Sequence, residues 1–540
     1  MTLSADLILH NGKVMSLDRV NTVHQAVAIW NGRILATGTD ADIVSLGGVT
    51  TSTIDLQGRC VTPGIIDSHC HPDHHAMLLE RWYDIGWPSI KSVQDILDMV
   101  AAEHRKLPGG EWFLGFGYND QKCGGYPSRD QLDAIAPDRP VWLYRTDSHI
   151  VVVNSALLSA FDIDENTADP PHGQYDRDPD GHMTGLLREM AAWNLNAQIE
   201  ATFRVEDYMK GLAKLFPKYL EQGVTSLHNS LTRSKAIDAY QRLRSADRLG
   251  MRIGIILDGR DEAMVDAWLA AGVKTGFGDE WIRVVGVEWC PDCSTSGRTA
   301  AYYNPYVGES VVGEPVPNYG MLLYEADELI PKVVRAHQAG LRVCVEGLGD
   351  RGIDFALDAI EAALEARPAD DHRSRVEHCC CVTPQILDRI KRLGVVDSSA
   401  TGFMYSLGDA YIDNRGEAEM KYMWPHRSLI DAGIHVAGHS DAPVCDINPW
   451  EIIGAMVTRK TDSGRRIGPD EAVTIEEALR AYTNEGAYIG FEEHIKGSIE
   501  PGKLADLAVL RQDPFELDPE AIKEMTVDTT ILNGEVVFER

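Results

Sequence analysis

The sequence predicts an α/β protein: a (β/α)₈ TIM barrel with a small β-sandwich domain formed by the two chain ends and an inserted subdomain. Three observations predict it. At 540 residues the chain has room for a barrel of about 250 residues or more plus an accessory domain. Its middle alternates amphipathic helices with short apolar strands, and its two ends read as short β-branched runs punctuated by turn dipeptides.

The start of the chain runs LILHNGKVM, AVAIWNGRILATG and STIDLQGRCV. Asn11-Gly12 and Asn31-Gly32 are dipeptides favoured in tight hairpins, because both central positions tolerate positive φ. The end repeats the style, with ADLAVLR from Ala505 and TILNGEVVFER from Thr530, the latter carrying Asn533-Gly534. The two ends, residues 1–62 and 485–540, are expected to pair into one β-sandwich around a barrel at 63–484.

Four stretches of the middle share one pattern: LFPKYLEQGVTSLHNS, VVRAHQAGLRVCVEG, ILDRIKRLGVVDSSA and SLIDAGIHVAGHSD. In each, a helix ends at a glycine (Gly223, Gly340, Gly394, Gly433), a short apolar strand follows and polar residues close it. Parallel βα units have this texture. Further strand candidates are GIIDSHCH from Gly64, PVWLYRTDSH from Pro140, RIGIILDG from Arg252, WIRVVGVEW from Trp281 and SRVEHCC from Ser374. Together they supply enough units for a closed barrel. The stretch at about 77–201 is too long for one βα connection and is expected to hold an inserted subdomain or lid.

Fifty-one basic residues against 82 acidic ones give a net charge of −31, which argues against nucleic-acid or anionic-membrane partners. Met1 to Gly12 lacks the basic and apolar regions of a secretory leader, and no run approaches the roughly 18 apolar residues of a membrane span. A cytoplasmic location is the expectation. Ten cysteines, three of them adjacent at Cys379, Cys380 and Cys381, fit reduced thiols rather than a spaced disulfide framework.

The strongest chemical signal is His69-Cys70-His71 at the end of a short apolar strand. Residues i and i+2 of a strand share a side, so both imidazoles can serve one cation; alone, such a pair is also compatible with a surface or core histidine pair. The segment VTPGIIDSHCH resembles the first-strand motif of the amidohydrolase superfamily, and the chain is similar to its YtcJ-like branch, which includes N-substituted formamide deformylases. Matching blocks run in order: RDQLDAIAPDRPVWLYRTDSH, VVVNSAL, TGLLREMA, GVTSLHNS, GRTAAYYNPY, GLGDRGIDFALDAIE, RVEHC, GHSDAPV and GSIEPGKLADLAVL.

That resemblance implies His69 and His71 as ligands of one metal and His378 as a ligand of a second. It implies Asp441 as the carboxylate at the last strand, touching metal and taking a proton from the attacking water. It also implies one or two divalent ions, zinc first among them, and a homodimer. Two positions depart from the branch. Glu288, in VGVEWCPDCSTSGRTA, stands where a lysine, often carboxylated to bridge two metals, is usual; Glu346, in VCVEGLGD, stands where a metal-binding histidine is usual. Carboxylates can replace both as ligands, at the cost of selectivity for zinc, which leaves manganese or iron open. The alternative is loss of the second metal.

Other residues carry two readings. His149 and His228 end strands and either meet substrate or serve the structure; Glu189 either reaches the pocket or is solvated; His74 and His75 either line the mouth or are exposed. Tyr118, Trp289 and Arg298 either shape a substrate site or pack. Cys290-Pro291-Asp292-Cys293 has the spacing of a redox pair or half a zinc site, but without a second such pair it reads as reduced pocket thiols. No phosphate-binding glycine loop implies a nucleotide cofactor. The expected activity is hydrolysis of the C–N bond of an amide-like small molecule by metal-activated water. A non-hydrolytic lyase, hydratase or isomerase, or a catalytically silent binding barrel, are the alternatives.

Overall fold

In the computed structural model, which describes residues 4–311 and 313–540, eight parallel strands follow one another around a nearly closed barrel. They are β1 (Ile65–Cys70), β2 (Val224–Thr232), β3 (Arg252–Asp258), β4 (Ile282–Trp289), β5 (Val343–Gly347), β6 (Arg375–His378), β7 (Val396–Ser399) and β8 (Val436–Gly438). Helices outside and side chains inside bury them on both faces; β3, β4 and β5 are largely apolar for that reason, whereas β2, β6 and β7 bury polar and charged side chains. Gly340 and Gly394 end their helices at φ +95° and +69°, a conformation that costs glycine nothing.

The barrel closes between β8 and β1 through a seam made largely beyond the strands. Ser68 Oγ donates to the Gly438 carbonyl (2.9 Å), and the Ser440 amide donates to Asp67 Oδ1 (3.1 Å). The Asp441 amide donates to the His69 carbonyl (3.0 Å) and the His71 amide to that of Ala442 (2.8 Å). The segment after β8 is thereby sewn to the end of β1, side by side with its histidines.

One strand candidate belongs elsewhere. PVWLYRTDSH forms Val141–Arg145, which pairs parallel with Phe113–Tyr118 and antiparallel with Ile150–Val153 in a separate six-stranded sheet. This sheet lies in the long connection between β1 and β2, around its own core of Ile96, Val100, Phe113, Leu132, Val141 and Ile150. Val141–Arg145 is as fully buried as a barrel strand, so its local pattern could not betray its neighbours.

The chain ends build two further sheets. In one, Cys60–Pro63 lies between Lys13–Met15 and the C-terminal strand Leu507–Leu510, so the two ends share a sheet. Asn31-Gly32 and Asn533-Gly534 turn hairpins with both residues at positive φ. Asn11-Gly12 does not: Ala5–His10 and Lys13–Met15 lie in different sheets, and Gly12 instead lets Leu56 and the Arg59 carbonyl approach where a Cβ would collide. Among the described residues no helix is long and apolar enough to cross a membrane.

Asp506 ties the ends to the barrel. Its carboxylate receives Arg252 of β3 through Nε (2.6 Å) and Nη2 (2.9 Å) as well as the Asn533 amide (2.9 Å), and its carbonyl accepts from Gly64 at the entrance to β1 (2.8 Å). Arg252 is buried, so Asp506→Ala would strand its charge. The expected loss is about 3–5 kcal/mol, read as a lower denaturation midpoint; an unchanged midpoint would show that the pair does not anchor the ends.

Candidate metal centre

His69 and His71 occupy positions i and i+2 at the carboxyl end of β1, and each is fixed from behind. His69 Nδ1 lies 2.8 Å from Glu377 Oε2, and His71 Nδ1 lies 3.1 Å from the Ser230 carbonyl. A carbonyl or carboxylate oxygen can only accept, so Nδ1 carries the proton in both rings. The two Nε2 atoms then face forward, 3.4 and 3.0 Å from the same atom, Asp441 Oδ1. No hydrogen bond of good geometry reaches that oxygen. In the neutral rings, lone pairs on two nitrogens and one oxygen therefore converge, an arrangement that repels itself unless a positive charge sits among them.

The electrostatics of the pocket make the same demand. Burial works against a charged His69, but Glu288, Asp441 and Glu377 outweigh it and raise its pKa well above the usual imidazole range, so that a proton takes the place a metal ion would otherwise fill. Burial also opposes ionisation of Asp441, yet His378, His69 and His71 hold it well below the ordinary carboxylate range. Burial pushes Glu288 well up and takes Glu346 to about 8.

Glu288 ends β4, where Oε2 accepts from the Ser230 hydroxyl and Oε1 has no partner. Glu346 lies on β5, and its Oε1 is 4.0 Å from His378 Nε2. His378 ends β6 with a left-handed backbone (φ 68°), which breaks strand alternation directly after Glu377. Asp441 is also left-handed (φ 55°), and such non-glycine strain persists only where surrounding bonds impose it, here the seam.

These six residues, His69, His71, Glu288, Glu346, His378 and Asp441, line one cavity of about 1010 Å³ including its open mouth. His149 lines it too, with Nδ1 2.6 Å from Glu189; burial opposes its charge, but Glu189 wins and raises it to about 9. His74 lies at the wall, 3.4 Å from Glu200, whereas His75 faces away. Met77, Tyr144, Trp193, Tyr208 and Leu231 add apolar surface to a lining that also holds Asp73, Glu200, Arg233 and Arg260.

Four candidate substrate residues lie outside it. Tyr118 is in the core of the inserted sheet, its ring 6.2 Å from that of Tyr126. His228 is buried against Gly254, with Nδ1 3.5 Å from Arg375. Trp289 is adjacent to Glu288 and so turns the opposite way, over Gly259. Arg298 is consumed by Glu314, the Val307 carbonyl and Asn414.

The supporting residues were not singled out by the sequence. Glu377 orients His69 and is itself held by Arg375 (2.6 and 2.7 Å); His439 stacks on His69 at 4.8 Å. The signal for Glu377 was its place beside His378 in RVEHC; Ser230 acts on His71 through its backbone carbonyl, which no side-chain pattern encodes. Carboxylates behind metal-binding imidazoles raise affinity, so Glu377→Gln is expected to weaken divalent-metal binding about 10–100-fold in a chelator competition. Unchanged affinity would mean that the His69–Glu377 contact serves packing alone.

Known proteins resemble this chain along nearly its whole length. The amidohydrolase family model matches residues 52–538. An N-substituted formamide deformylase of Arthrobacter pascens is 30% identical, with 100% of this chain and 99% of that protein aligned. The putative amidohydrolase YtcJ of Bacillus subtilis is 28% identical over 99% of both. A crystal structure of an uncharacterized metal-dependent hydrolase from Pyrococcus horikoshii superposes with a TM-score of 0.75 at 26% identity, covering 95% of this chain and 99% of the other.

Proposed function

Because the chain belongs to the amidohydrolase family, whose members include metal-dependent hydrolases, we propose that it hydrolyses the C–N bond of an amide-like small molecule, with Asp441 as the proton carrier. The observation that carries this reading is the convergence of His69 Nε2 and His71 Nε2 on Asp441 Oδ1 with both Nδ1 protons engaged elsewhere.

The residues present fit a divalent cation, with zinc the first choice: two imidazole nitrogens, both neutral once the cation displaces the proton that the carboxylates otherwise hold on His69, and a carboxylate oxygen, with ligand atoms all within 4.8 Å of one another. Bound there, such a cation lowers the pKa of water and polarises a substrate carbonyl. His69 and His71 keep their tautomers through Glu377 and the Ser230 carbonyl. Asp441, held ionised, accepts the proton of the attacking water and returns it to the nitrogen of the leaving amine, so the amine departs neutral. His149, held cationic by Glu189 on the cavity wall, is placed to hydrogen-bond a substrate oxygen. The apolar surface that Met77, Tyr144, Trp193, Tyr208 and Leu231 add to the lining suits an apolar substituent on the scissile nitrogen. The printed name of the Arthrobacter relative supports the same bond class.

The test is turnover of a panel of N-substituted formamides and related amides in oxygen-18 water. The reading expects one heavy oxygen in the carboxylate product and a loss of about 10²–10⁴-fold in kcat for Asp441→Asn. Products without heavy oxygen, or full activity in Asp441→Asn with the label still incorporated, would overturn the bond class or the proton carrier respectively.

A further inference from the structure

We propose that Cys290 is a sulfur ligand of a second cation site, shared with Glu288 and Glu346, in the same cavity; this rests on reading the cavity as a divalent-metal site. Cys290 follows Glu288 by two positions at the end of β4, so both side chains turn to the same side. Every cysteine of the chain is buried, but Cys290 lines the cavity. One ligand atom each from Glu288, Cys290 and Glu346 lies within 4.8 Å of the other two. At bond lengths of about 2.0 Å to oxygen and 2.3 Å to sulfur, a tetrahedral ion sets an oxygen and a sulfur ligand about 3.5 Å apart, and side-chain rotations close the remaining gap.

Independent features point to an occupant. Glu288 is 1% exposed, lines the cavity, and leaves Oε1 without a hydrogen-bond donor among the described residues. A buried carboxylate oxygen with no donor carries a penalty that a cation removes. His378 Nε2 lies beside this cluster, 4.0 Å from Glu346 Oε1.

The backbone behind the thiol is rigid in the way a ligand site needs. Asp292, two residues beyond Cys290, accepts hydrogen bonds from the amides of Leu348 (2.7 Å) and Gly349 (2.9 Å), and from that of Ala301 (2.7 Å). Leu348 lies two residues beyond Glu346. One buried carboxylate thus locks the loop after β4 to the loop after β5 and fixes the spacing of Cys290 and Glu346. Metal binding there replaces the S–H bond with a sulfur–metal bond and releases the proton to buffer, with no change of oxidation state. A thiolate also changes the metal preference. Two carboxylates alone favour hard ions such as manganese, whereas sulfur shifts the site toward zinc and cadmium.

The test uses the full-length protein, stripped with a chelator and titrated with cobalt(II). The expected result is binding of two equivalents, with a near-ultraviolet sulfur-to-cobalt charge-transfer absorption. Cys290→Ser and Cys290→Ala are expected to abolish that absorption and weaken cadmium binding at least about tenfold relative to manganese, while Cys293→Ser retains the absorption. Cobalt bound without charge transfer in the unmutated protein would overturn the thiol ligand and leave the metal reading of the cavity intact. Absorption lost in Cys293→Ser but kept in Cys290→Ser would assign the sulfur to Cys293, which lies within ligand distance of His149 and Glu189 instead, and refute the proposal. No cobalt bound at all would remove both this inference and the reading beneath it.

Discussion

The seam between the last and first strands of the barrel is the constraint on which the site depends. Backbone bonds from Asp441 to His69 and from His71 to Ala442 hold two segments more than 360 residues apart in sequence in a single register. They leave the carboxylate of Asp441 no choice but to face the imidazoles. With Glu377 and Ser230 engaging the far side of each ring, the near-side lone pairs are presented to one point. On the reading proposed here, a cation at that point turns a repulsive arrangement into a stable one.

Responsibility is divided between scaffold and wall. The groups suited to bond cleavage come from the ends of barrel strands, where packing from all sides fixes their positions. Much of the remaining lining, including Tyr144, His149 and Trp193, comes from the sheet and helices inserted after β1. Change in that insertion can alter what the cavity accepts without disturbing the seam. The acidic chain ends take no part in the cavity; Asp506 uses one of their carboxylates to hold them against β3.

Much of this was legible from sequence, and the exceptions have physical causes. The helix–glycine–strand units and the apolar run before His69 report burial on both faces, and burial is what a barrel strand requires. PVWLYRTDSH is equally buried in another sheet, so burial alone could not assign it. Asn11-Gly12 carries a hairpin signal because of its conformational range, but the chain uses that range to cross between sheets. The His-x-His spacing and the residues at strand ends marked the cavity. Tyr118 and Trp289 show the converse: an aromatic near a strand end is placed by which face it takes, and a shift of one residue reverses that face. Glu377 and Asp292 act through contacts across strands distant in sequence, which no local pattern records.

The central claim is that a divalent cation belongs where His69, His71 and Asp441 converge. Anomalous diffraction at a zinc or cobalt absorption edge, on crystals grown with that ion, tests it most directly. The account predicts a peak within bonding distance of both Nε2 atoms and Asp441 Oδ1. A clean map there, with the imidazoles instead hydrogen-bonded directly to the carboxylate, would contradict it.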